Sequence, residues 1–152
     1  TRCLSDWSSD VCSSDLEMAL TRDKEPCDFK DENRWVRGIV DLLIVDGDQA
    51  YIVDYKTGSN RYPDPKQLKL MALMTFAHFP HVNKIKAGLL FVMHESFMDE
   101  EYSRDQIPKL WNYFSADLER LNISYENDVW NPNPTPLCGW CPVKSCEFHK
   151  ER

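Results

Sequence analysis

No apolar run in this 152-residue chain approaches the roughly 20 residues that a membrane-crossing helix needs. The longest, Ala87–Met93, has the length of a strand. The N-terminus lacks a basic stretch followed by an apolar core, so no secretion signal is read there and a cytoplasmic setting is the default. Basic excess is missing as well: 18 Lys and Arg stand against 25 Asp and Glu, a formal net charge of −7. A chain of that sign has no global field to draw in nucleic acid, so any such contact has to come from a local patch. There is no internal repeat.

What is present reads as an ordinary globular domain, 42% hydrophobic and 12% aromatic. At this length a single domain buries about two thirds of its unfolded surface. Residues 1–16, TRCLSDWSSDVCSSDL, are polar and show neither helical nor strand period. Asp6–Leu16 reads as the in-frame translation of a common sequencing-adapter oligonucleotide, so residues 1–16 are set apart as an assembly scar. That leaves a core over 17–130 and a cysteine-rich tail over 131–152, in a fragment expected to lack its own N-terminal segment.

Glu17–Thr21 reads as the end of a strand, and Trp35–Val45 and Ala50–Lys56 as two strands joined by the turn signal Asp46-Gly47-Asp48-Gln49. Asp64, Pro65 and Gln67 mark a helix start, with Asp64 as N-cap and Gln67 closing a capping box. The helix that follows, Pro65–Phe79, is apolar on most sides and is expected to be buried. Ile85–Met93 is a further strand, and Asp105–Asn122 an amphipathic helix with Ile107, Leu110, Trp111, Phe114, Leu118 and Leu121 at helical spacing. The order predicts an α/β domain with a mixed sheet flanked by helices.

The unusual residues lie in RGIVDLLIVDGDQAYIVDYKTG, residues 37–58. On the second strand Asp54 and Lys56 point to one face with Ile52, about 7 Å apart by the rise of a strand. Asp41 lies on the preceding strand, within reach of Asp54. Charges on a face that otherwise reads as buried need a partner. An ion pair of Lys56 with Asp54 or Asp41 is one answer. A divalent cation is the other: Mg²⁺ or Mn²⁺ takes a few protein oxygens, here Asp41, Asp54 and the backbone carbonyl of Tyr55, and keeps several waters. Such an ion lowers the pKa of a bound water, which a lysine can orient or deprotonate, and phosphodiester hydrolysis needs that help.

RGIVD (Gly38 to Asp41), IVDYKTG (Asp54, Lys56, Gly58) and KQLKLMALM (Gln67) together resemble the PD-(D/E)XK nuclease superfamily in its RecB-like, CRISPR-adaptation-nuclease-like branch, which includes many phage proteins. The resemblance implies a restriction-endonuclease-like fold, with Asp41 and Asp54 as metal ligands and Lys56 as the catalytic lysine. It makes Gln67 the helix glutamine beside the site, a role that competes with its capping box. The pattern departs in two places. Met71 stands where the family often has tyrosine, and the family's N-terminal helix with its metal-ligating His or Glu would have preceded Glu17.

At the other end, Cys138-x2-Cys141-x4-Cys146-x2-His149 has the close spacing of a structural metal site. By itself the set suits Zn²⁺. By the resemblance, the three cysteines join an N-terminal one in a [4Fe–4S] cluster, with Cys27 the only remaining candidate for the fourth. His78, His81 and His94 have no partner spacing. Arg61, Lys66 and Lys69, with Tyr62, could form a local phosphate track for DNA, and a solvated face is the plain alternative. Taken together the residues predict a Mg²⁺- or Mn²⁺-dependent DNA nuclease, an exonuclease of recombination or repair type. Recombination or replication proteins are its expected partners. A DNA-binding or assembly module that keeps the fold without catalysis is the rival, and a zinc-ribbon interaction domain a second.

Overall fold

A computed structural model of the chain describes residues 11–61 and 63–149. Residues 1–10 and Tyr62, on which the sequence reading also touched, lie outside them. The strands are β1 (Val11–Thr21), β2 (Pro26–Cys27), β3 (Arg34–Asp46), β4 (Gln49–Lys56), β5 (Lys84–Phe91) and β6 (Ser96–Ser103); the helices are α1 (Lys66–His78) and α2 (Ile107–Asn127). One sheet takes the strands in the order β2-β1-β3-β4-β5-β6. Every pairing is antiparallel except β4 with β5, and that parallel pair is connected through α1. This is the mixed α/β sheet expected.

The β3–β4 hairpin closes between Asp46 and Gln49. Gly47 takes φ of 57° at the turn, a conformation open to a residue without Cβ at little cost. In α1, Leu68, Met71, Ala72, Leu73, Met74, Thr75 and Phe76 are all buried, as a helix apolar on most sides requires. Its contact with β3 is close enough that a Cβ on Gly38 would fall 2.6 Å from Met74 Cε. The far end of α1 is tied down by Arg104, whose guanidinium donates to the carbonyls of Phe76, Phe79 and Val82.

Three local expectations change. Val11–Leu16 is not patternless chain but the first half of β1, paired with Val40–Val45 of β3. None of Cys12–Leu16 is buried; burial begins at Met18. The strand expected to run to Met93 stops at Phe91, where Val92–His94 forms a 3₁₀ turn and Glu95 adopts φ of 48°. The chain then returns as β6, a strand without a sequence signal of its own. Its sequence, SFMDEEYS, offers no clean hydrophobic face because it is an edge strand, and charged residues protect an edge.

The chain divides into two compact units, Thr1–Tyr113 and Phe114–Arg152. The first holds the sheet and α1. The second holds the rest of α2 and the cysteine-bearing segment, which includes a short 3₁₀ helix at Pro136–Trp140. No helix among the described residues is long and apolar enough to cross a membrane.

Candidate active site

The site forms where β3 and β4 part. Their ladder ends at Leu42–Val53, whereas β4 stays paired with β5 as far as Lys56–Phe91. At the same point the alternation of β3 changes phase: Val40 is buried, Asp41 and Leu42 are both half-buried, and Leu43 and Val45 are buried. Asp15 of β1, which the register sets opposite Asp41, has φ of 51°. The ladder therefore leaves the backbone N–H of Tyr55 without a strand partner, and Asp41 Oδ2 accepts it at 2.8 Å. A carboxylate is thus held at the mouth of the opening by the backbone group that the opening exposes.

Asp54, on the inner face of β4, is only 3% exposed. Its Oδ1 accepts from Gln67 Nε2 at 2.6 Å, and Lys56 Nζ donates to Gln67 Oε1 at 2.6 Å. Lys56 Nζ also lies 2.6 Å from Asp54 Oδ2, an ion pair by distance. Asp54 Oδ2 faces the Lys56 ammonium and has no other polar partner among the described residues. Asp54, Lys56 and Gln67 close a triangle whose side chains come from one strand and the first turn of one helix. The simple ion pair that sequence allowed is real, but it is one side of a larger arrangement.

The Gln67 side chain turns to Asp54 and Lys56 rather than to the helix start. Asp64 Oδ1 accepts the N–H of Lys66 at 2.9 Å and starts the helix, but the Gln67 side chain does not return to close a box. Both ends of its amide are spent on Asp54 and Lys56. The donor set fits a hydrated divalent ion: two carboxylates on neighbouring strands, Asp41 held by the Tyr55 N–H and Asp54 buried with one oxygen against Lys56. Among the described residues no group of three or more His, Cys, Asp or Glu is gathered.

The three basic residues read as a phosphate track differ in exposure. Arg61 and Lys66 are exposed. Lys69 is not available to a phosphate: its Nζ pairs with Glu100 Oε2 at 2.9 Å, and its side chain is 18% exposed. This pairing was hidden because Glu100 lies on the unrecognised β6. The tail also differs from expectation. Cys138, Cys141, Cys146 and His149 are not drawn together as a donor set for zinc or an iron–sulfur cluster. Local turns use their backbone instead: the Cys141 N–H reaches the Cys138 carbonyl, the His149 N–H reaches the Cys146 carbonyl, and His149 Nδ1 lies 3.2 Å from the Cys138 carbonyl. Cys27 is likewise a free thiol, pushed upward in pKa first by burial and then by Asp31 and Asp28.

The sheet is mixed and carries Asp41, Asp54 and Lys56 where β3 and β4 part. The sequence model of the PD-(D/E)XK nuclease superfamily matches residues 11–146, and the chain belongs to that superfamily. No curated protein matches it. Among solved structures, one described as the crystal structure of SSO0001 is similar at 11% identity and a TM-score of 0.38, covering 88% of this chain. The chain spans 60% of the length of that protein.

Proposed function

We propose that this chain is a Mg²⁺- or Mn²⁺-dependent deoxyribonuclease, an exonuclease of the recombination or repair kind. The observation that carries the reading is the closed set Asp54–Lys56–Gln67 beside Asp41, at the point where β3 and β4 separate. Asp41, Asp54 and the Tyr55 carbonyl would hold the ion, which would supply acidified water and positive charge for the phosphate oxygens. Lys56 has three donors; one goes to Gln67 and another lies against Asp54, which leaves the third for the attacking water or a phosphate oxygen. Gln67 holds the lysine and the carboxylate in one geometry. Arg61 and Lys66 take flanking phosphates. The motif strings support the RecB-like branch, a phage source, and recombination or replication proteins as partners.

The test is cleavage of end-labelled linear DNA in Mn²⁺ by the wild type, by Lys56→Ala, and by the wild type in EDTA. The reading expects cleavage in the first reaction alone. DNA binding by the wild type with no cleavage would replace it with a non-catalytic DNA-binding module.

A further inference from the structure

One face of the sheet is buried and the other is apolar yet open. Leu43, Val45, Ile52, Ile85, Ala87 and Leu89 are buried, so strand alternation turns their neighbours to the opposite face. There the registers set Ile44 beside Tyr51 and Tyr51 beside Lys86. A second row runs Leu42, Val53, Gly88, and a third runs Tyr55, Leu90, Phe97. Tyr51 is 38% exposed, Tyr55 46% and Phe97 52%. Leu42, Val53 and Leu90 are half-buried. Gly88 keeps this face flat: a Cβ there would stand 2.1 Å from Phe97 Cζ, so only glycine lets the ring lie over β5.

A sheet face that meets water is ordinarily polar. Here the three rings alone leave roughly 250–300 Å² accessible, taking about 200 Å² for a whole aromatic residue. With Ile44 and the charged margin the face is on the order of 800 Å², what one partner gives to a standard interface. Charge selects the occupant. At the margin Lys86 Nζ meets Asp99 Oδ2 at 3.0 Å and Glu101 Oε1 at 3.9 Å, and Lys84 stands exposed on the same face. Two cations and two carboxylates cancel, so this margin carries none of the chain's net charge of −7. It offers no field to a phosphate backbone, and a second copy meets it without net repulsion.

We propose that the chain forms a two-fold dimer through this outer face of β3, β4, β5 and β6, with Tyr51, Tyr55 and Phe97 packed between two sheets. A two-fold pair buries the same patch on both copies, and stacked sheets stand about 10 Å apart with their side chains interdigitated. The inference is independent of the nuclease reading, because none of these side chains belongs to the Asp54–Lys56–Gln67 set.

The test is sedimentation velocity of the whole chain from about 1 to about 100 µM, where an interface of moderate affinity dissociates. Wild type, Tyr51→Glu and Met93→Lys are compared; Met93 is 73% exposed but lies in the turn after β5, off the sheet. Wild type and Met93→Lys should pass from monomer to dimer across that range. Tyr51→Glu should raise the dissociation constant by about 30-fold or more. Acetylation of tyrosines, read by mass spectrometry, tests the unaltered chain. Tyr51 and Tyr55 should lose reactivity as concentration rises, while Tyr125, 70% exposed, keeps its own. A monomer at every concentration overturns the proposal and leaves the face to a different partner. A dimer that Tyr51→Glu leaves intact, or that protects Tyr125 in place of Tyr51, puts the interface elsewhere and overturns it too.

Discussion

Gln67 donates to Asp54 at 2.6 Å although the two stand on different elements, one opening α1 and the other near the end of β4. Because the same amide accepts from Lys56, its orientation is fixed from both sides: the NH₂ must face the carboxylate and the oxygen must face the amine. The buried carboxylate thereby has hydrogen-bonding and ionic partners.

Removing that amide should loosen the site rather than dissolve the fold. Gln67→Ala frees the Lys56 amine and deprives Asp54 of its neutral partner, and loss of a residue that orients metal ligands costs about 10–100-fold in activity or metal affinity. We expect kcat/KM for Mn²⁺-dependent cleavage to fall within that range while the urea midpoint changes little. Unchanged kinetics would mean that Gln67 is structural only.

Divalent ions should stabilise the chain through Asp54. Binding to the native state alone raises Tm with ion concentration. We expect Mn²⁺ to raise Tm in the wild type and to have no effect on Asp54→Asn, measured by scanning calorimetry with and without EDTA. An equal Mn²⁺ shift in both proteins would place the bound ion elsewhere.

Arg104 should matter for stability well beyond its surface position. Its guanidinium meets three carbonyls, two of them at the C-terminal end of α1. Hydrogen bonds from a charged donor contribute about 1.5–3 kcal/mol each. We expect Arg104→Ala to lower the unfolding free energy by at least about 2 kcal/mol on that basis, with Arg104→Lys recovering only part, because an ammonium cannot span the three acceptors. Urea titrations of the three proteins decide the matter.

Acid should weaken the fold through His78. Its Nε2–H donates to the Ala19 carbonyl at 2.9 Å. Burial, the larger effect, holds its pKa below the ordinary 6.5, against the opposing pull of that bond. The unfolded chain therefore takes up the proton more readily. The resulting stability is full above 6.5 and declines as pH falls from there through the lower native value. Comparing urea midpoints at about pH 7.5 and about pH 5.5 should show a drop in the wild type that is smaller in His78→Gln.

Much of this was legible in the chain. Alternation over Ala50–Lys56 separated Tyr51 and Tyr55, which are exposed, from Ile52 and Asp54, which are buried. The Asp-Gly turn marked the hairpin, the apolar breadth of α1 marked its burial, and the motif strings marked the superfamily. These are local properties, written in the spacing of residues that are neighbours in sequence.

What sequence could not decide were the contacts between distant segments. Gln67 fits a capping box and a contact with Asp54 and Lys56 equally well on one-dimensional spacing, and only the placement of α1 against β4 gave its side chain the second set of partners. Lys69 read as a free cation until β6 brought Glu100 to it from 31 residues away. The cysteines of the tail had the spacing of metal ligands, but spacing permits a site and does not fold one; the local turns there left the donors apart. The sequence by itself determined the β3–β4 hairpin, the strand β5, the buried helix and the carboxylates. Which polar groups meet was decided by the tertiary fold, because a buried charge takes the partner that packing delivers.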